Sequence, residues 1–198
     1  MIEAARNWPT VTAWPSGRKG VGARPHEVEL IVLWLFTTGM RISDALRNAK
    51  WFDPSSRDQT GIDLAKGEVR YVVRKTGRIR GKTLQPEMIE ALARCIPPER
   101  RVGRVFRWTP KSRANLSNRV LKPLEAQTGI YFTPHMARHS AGTWLDDAGV
   151  SETLIGEFLD HVSGSTATKR YTKGTRKRLD QAQQRLPDLT APCAREAK

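Results

Sequence analysis

The chain has 198 residues, enough for one domain with a full core, with room for at most a short extra arm. Its 34 Lys and Arg against 20 Asp and Glu leave a net charge of +14, which points to a polyanionic partner. Nucleic acid ranks ahead of a membrane: the longest apolar run, Leu30 to Phe36, is too short to span a bilayer, and no secretory arrangement precedes it, so the expected compartment is the cytoplasm.

Residues 1–24, with Pro9, Pro15 and several glycines and no sustained periodicity, are expected to form an irregular N-terminal arm. From Pro25, Val28, Ile31, Val32, Leu35 and Phe36 recur at helical steps and Gly39 suits a helix end, which leaves Arg41 just past a buried helix. A second short helix runs from Ile42 to about Asn48, and the polar stretch from Asp53 to Gly61 reads as a loop. Next, "EVRYVVRKTGRIRGKTLQ" alternates apolar and basic residues, breaks at Thr76-Gly77 and resumes, the pattern of a β-hairpin with Lys75 at its tip. Helical patterns follow over Pro86 to about Cys95, Arg113 to Gln127, Pro134 to about Ala148 and Glu152 to Asp160. The fold class is therefore α+β, mainly α-helical with a small antiparallel β-sheet. Its domain covers 25–186, and 187–198 is a flexible tail.

Metal chemistry finds little support. Cys95 and Cys193 stand far apart without ligand-spaced partners, and His26, His135, His139 and His161 lack a Cys or carboxylate set to join them. No cofactor and no metal are expected. The histidines matter elsewhere. In "TPHMARHSAGTWL", Thr133 can cap a helix with Pro134 in its first position, so His135, Arg138 and His139 crowd the positive end of that helix. Such a gathering is unfavourable unless an anion joins it. Alone, a His-x-x-Arg pair is more often a surface ion pair or a packed histidine.

Three other segments give it company. "TGMRISDAL" carries Arg41 and, three residues on, Asp44. "RKTG" carries Lys75, and "LDHVSGSTATKRYTK" carries His161 and Tyr171. Arginine, lysine, histidine, arginine, histidine and tyrosine in this order resemble the tyrosine recombinases, or phage integrases, from Pro25 to Leu179. The chain departs from the family pattern in two places. Ten residues rather than nine lead from His161 to Tyr171, and Asp160 stands where glycine is usual.

The resemblance implies the catalytic-domain fold of these DNA breaking and rejoining enzymes, with the N-terminal core-binding domain absent, so that the chain is a fragment or truncated member. It implies site-specific recombination and integration through a 3′-phosphotyrosyl intermediate, with Tyr171 as nucleophile. Arg41 and Arg138 would clamp the phosphate, Lys75 would protonate the leaving oxygen, His135 would assist proton transfer and His161 would hydrogen-bond the phosphate. Asp44 would brace the arginines, with His139 as support or packing. Arg74, Arg78, Arg80, Lys82, Lys169 and Arg170 are expected to contact DNA, and for Lys75 a plain phosphate contact stands beside its proton-transfer role. The partner would be double-stranded DNA, the protein monomeric in isolation and tetrameric on two sites, in the cytoplasm of a bacterium or phage host, associated with the nucleoid. Leu179, Ala182 and Leu186 form a stripe that either docks on a neighbouring protomer, as in the family, or packs on its own domain. A type IB topoisomerase-like enzyme and a DNA-binding protein of the same fold without catalysis are the alternatives.

Overall fold

In the computed structural model, residues 2–7, 25–57, 59–73, 77–160 and 174–189 are described. The helices are α1 (Ile2–Arg6), α2 (Pro25–Thr38), α3 (Ile42–Asn48), α4 (Pro86–Cys95), α5 (Arg113–Leu116), α6 (Lys122–Thr128), α7 (Pro134–Asp147), α8 (Glu152–Phe158) and α9 (Gly174–Gln183). The strands β1 (Gly61–Asp63), β2 (Glu68–Val72) and β3 (Ile79–Thr83) form one antiparallel sheet in the order β1-β2-β3. The architecture is the mainly helical α+β arrangement that the sequence suggests.

The centre of the core is α2. Every residue from Val28 to Leu35 is buried, all round the helix rather than along the single stripe that the spacing picks out. Around it pack α1, α3, α4 and α7, with Phe36 stacked on Phe132 and on Trp144 at 5.5 Å each. The two carboxylates inside this helix are paired: Glu29 accepts from Arg6 at 3.1 Å and Arg94 at 2.7 Å, and Glu27 pairs with Arg107 at 2.5 Å. Removing one member of such a pair would strand a buried charge, so the ends of the chain segments carrying Arg6, Arg94 and Arg107 are tied to α2.

Three expectations are revised. The start of the expected irregular arm is helical: Ile2–Arg6 forms α1, and Ala5 is fully buried in the main core. A helix of five residues is too short to display a period. Gly61, read as the end of a loop, begins β1, whose Ile62 is buried opposite Val69. The expected tail from 187 is not loose throughout, since Leu189 packs partly buried against the main core. The long helix expected over Arg113 to Gln127 is present but widens into a π turn at Ser117–Leu121 between α5 and α6.

A smaller cluster lies further along α7, where Ala141 and Leu145 meet Val150, Phe158, Leu159, Ala182 and Leu186. The stripe of α9 thus packs on its own domain, against α8 and β3. Polar contacts fix its register: Thr83 donates to Asp180 at 2.5 Å, and Gln183 and Gln85 exchange bonds with the backbone at Thr83 and Gln183. Deleting 174–198 is therefore expected to lower the stability of the single protein by at least about 2 kcal/mol, from the loss of Leu186 burial alone. Chemical denaturation of the truncated chain checks this; an unchanged midpoint would mean that the helix serves another molecule.

Candidate functional site

The site grows from the end of α2. Thr37 and Thr38 turn their hydroxyls back onto Leu33 O and Trp34 O at 2.8 and 2.6 Å, and Gly39 then takes a left-handed conformation, φ +57°. A side chain there would also collide, since a Cβ would lie 2.9 Å from atoms of both Leu159 and Phe158. Glycine is needed at 39 for both reasons. The chain leaves this turn through Arg41, exposed at the N-cap of α3, with Asp44 in the first turn.

Helix α7 begins as its sequence indicates: the Thr133 hydroxyl accepts from Met136 N at 3.2 Å and Pro134 opens the first turn. His135 and His139, one turn apart and both exposed, meet ring to ring with their Nε2 atoms 2.8 Å apart. Arg138 points the other way and is only 5% exposed. Its guanidinium donates to Gly39 O at 2.6 Å and to Leu159 O, joining the ends of α2 and α8. Burial first, and then the neighbouring Arg41, push its pKa down to about 10, while Asp160, Asp44 and Tyr71 oppose the shift. Arg138 is thus tied to the backbone two residues before Arg41, and the two positive charges disfavour one another.

Asp160 follows Leu159, whose carbonyl Arg138 takes. It sits in the left-handed region, φ +52°, a conformation aspartate tolerates and glycine adopts freely, which accounts for the glycine usual at this point of the family pattern. Its carboxylate accepts from the Tyr71 hydroxyl at 2.7 Å and from Arg80 at 3.3 Å, two residues that face each other across β2 and β3. Burial, then the Asp160 charge, hold the Tyr71 phenol well above its ordinary pKa, so it stays a proton donor.

Lys82 is not where a DNA-contacting cation would be. It is 6% exposed, and its ammonium donates to Thr38 O at 2.6 Å and to Phe158 O, with the Phe158 ring 4.1 Å away. The β2–β3 register explains the difference: Lys82 pairs with the buried Val69, so it belongs to the inward face of the hairpin. Arg80 is half engaged with Asp160, and Arg78 is exposed at the start of the returning strand. Lys75 and Arg74 at the hairpin tip, and His161, Lys169, Arg170 and Tyr171 after α8, lie outside the described residues. Among the described residues no group of three or more His, Cys, Asp and Glu could hold a metal, and no helix is long and apolar enough to cross a membrane.

Fold and site together define a small α+β domain in which Arg138 and the buried Lys82 join the ends of α2 and α8 beside Asp160, with Arg41 exposed at the start of α3. The family model described as "Phage integrase family" matches residues 22–178, and the chain belongs to that family. Tyrosine recombinase XerA of Pyrococcus furiosus is 31% identical over 163 residues, covering 79% of this chain and 53% of the relative. Its namesake in Thermococcus onnurineus is 31% identical over 157 residues, covering 79% and 54%. The chain spans about half the length of these curated relatives. Among solved structures, an integrase from mycobacterium phage Brujita superposes with a TM-score of 0.62 at 20% identity over 85% of this chain and 54% of that one. A XerA recombinase gives 0.52 at 20% identity over 82% and 59%. At these identities the two superpositions speak for the fold.

Proposed function

We propose that this chain is the catalytic part of a tyrosine-type site-specific recombinase that cuts and rejoins duplex DNA. The observation that carries the reading is that Arg138 is anchored on Gly39 O, two residues before the exposed Arg41, so that two guanidinium groups are brought to one helix end where an anion would relieve their repulsion. In this reading the anion is the scissile phosphate. The Tyr171 oxygen attacks phosphorus, the bond to the 5′ oxygen breaks, and a 3′-phosphotyrosine keeps the energy of the phosphodiester for rejoining. The phenolic proton leaves with help from His135, Lys75 returns a proton to the departing 5′ oxygen, and His161 binds a non-bridging oxygen. Arg41 and Arg138 balance the charge of the transition state, which is the part a metal ion would otherwise take, so the reading asks for none. Arg74, Arg78, Lys169 and Arg170 would contact the DNA backbone around it. The recombining unit would be a tetramer on two duplex sites, assembled from monomers at the nucleoid.

Covalent trapping on a nicked suicide duplex tests this reading: a protein–DNA adduct stable in denaturant is expected, whereas site-independent relaxation of supercoils would favour the topoisomerase-like alternative. A reading without catalysis draws on Asp160, a carboxylate that accepts from Tyr71 and from the cation Arg80 beside the arginines. Tight binding that never yields an adduct would establish it.

The charge of +14 makes a separate prediction. The logarithm of affinity for duplex DNA should fall linearly with the logarithm of salt, by about 0.9 per phosphate neutralised, and nearly alike for any sequence in this chain. Fluorescence anisotropy over a salt series measures the slope, and a flat line would remove nucleic acid as the partner.

A further inference from the structure

The ends of α2 and α8 approach closely at Gly39, and each leaves carbonyls that its own helix cannot satisfy, together with the negative end of its dipole. Two cations answer them in parallel. Lys82 takes Thr38 O and Phe158 O, and Arg138 takes the next carbonyl of each helix, Gly39 O and Leu159 O. The first helix end runs on to Arg41, and the second runs on through Asp160 toward His161.

We propose that Lys82 is a positioning residue of the anion site, strapping together the two helix ends that lead to Arg41 and His161, and that its charge is coupled to the phosphate held beside Arg138. The identity of that phosphate rests on the recombinase reading above. The charged groups facing Lys82 are Asp160 from the end of α8, Arg138 from α7 and Arg80 from its own strand. Asp44 of α3 reaches this group only through Arg138 and Tyr71.

Burial, the largest influence, lowers the Lys82 pKa from 10.5 to about 8; Asp160 opposes the fall, and Arg138 and Arg80 add to it. A neutral amine still has two N–H donors, so both carbonyls keep their bonds when the proton leaves; what changes is the charge beneath Arg138. A phosphate arriving there favours the ammonium. The sign follows. Between about 8 and the ordinary lysine value the DNA-free fold holds Lys82 neutral while the unfolded chain holds it charged, so the free protein gains stability as pH rises through that window. DNA binding does the opposite: it takes up a proton, and affinity falls as pH rises through the window.

The test uses the whole chain carrying Tyr171→Phe, so that only binding is read, titrated with a short duplex at constant salt in two buffers of different ionisation heat. Uptake approaching one proton is expected above pH 8, with affinity falling by up to about tenfold per pH unit. Adding Lys82→Arg, whose charge does not titrate there, should abolish most of that uptake. Equal uptake with and without Lys82→Arg would overturn the proposal. In the Tyr171 protein, Lys82→Met should slow adduct formation at least tenfold while weakening binding less. A rate matching the wild type would also overturn it, and if that variant does not fold the arginine comparison decides. A Lys82-dependent proton in a protein that never forms an adduct would leave this proposal standing and remove the recombinase reading; an adduct with no such proton would do the reverse.

Discussion

Arg138→Ala is expected to lower the rate of adduct formation by about 10²–10³, the effect of removing one fixed donor from a developing oxyanion. It should also destabilise the protein by roughly 2–5 kcal/mol, because Gly39 O and Leu159 O both lose their donor inside the fold and each buried unsatisfied group costs about 1–3 kcal/mol. The two effects separate experimentally: single-turnover trapping well below the melting temperature reads the first, and denaturant titration reads the second. Arg138→Lys should restore little of either, since one ammonium cannot present the planar fork that reaches two carbonyls and still faces a phosphate. A variant as stable as the parent would contradict the bonds seen at Arg138. One with full trapping activity would remove it from the centre.

Tyr171→Phe should behave in the opposite way. It deletes one oxygen, so folding and affinity for DNA should stay within about 0.5 kcal/mol of the parent while the denaturant-stable adduct disappears completely. Tyr71 is not a substitute nucleophile, because its hydroxyl is committed to Asp160 and burial keeps it protonated. Tyr131 is exposed just before α7 and precedes both the His-x-x-Arg pair and His161. Digestion of the trapped adduct and mass analysis of the DNA-linked peptide would name the tyrosine used. An adduct surviving in Tyr171→Phe would overturn the assignment, and the longer spacing after His161 makes the wild-type trapping gel the first measurement to make.

Much of this protein is determined locally, and those parts are legible residue by residue. Thr133-Pro134 starts α7 because a hydroxyl cap and a residue lacking an N–H suit a helix start. Gly39 ends α2 because only glycine turns left there without strain. The alternation around Tyr71 makes a hairpin because period two places one face on a core. The order of Arg41, Lys75, His135, Arg138, His161 and Tyr171 pointed to the family for a different reason: it is a set of chemical requirements written along the chain, independent of which neighbours each side chain acquires.

What the tertiary structure decided is which charges face water and which face one another. Composition assigns Lys82 to the basic surface, but pairing with Val69 turns it inward, where two helix ends supply carbonyls that need a cation. Asp160 reads as an irregularity one residue before His161 until the left-handed turn brings it under Tyr71 and Arg80. Helix α1 is too short to carry a period, and only the burial of Ala5 and the Arg6–Glu29 pair show why it forms. The stripe of α9 requires an apolar partner without naming it; the apolar side chains of α7 and α8 in the same chain settled that question. Local patterns specify elements because their causes are short-ranged, whereas the partner of a buried charge depends on a contact that exists only after the chain has closed on itself.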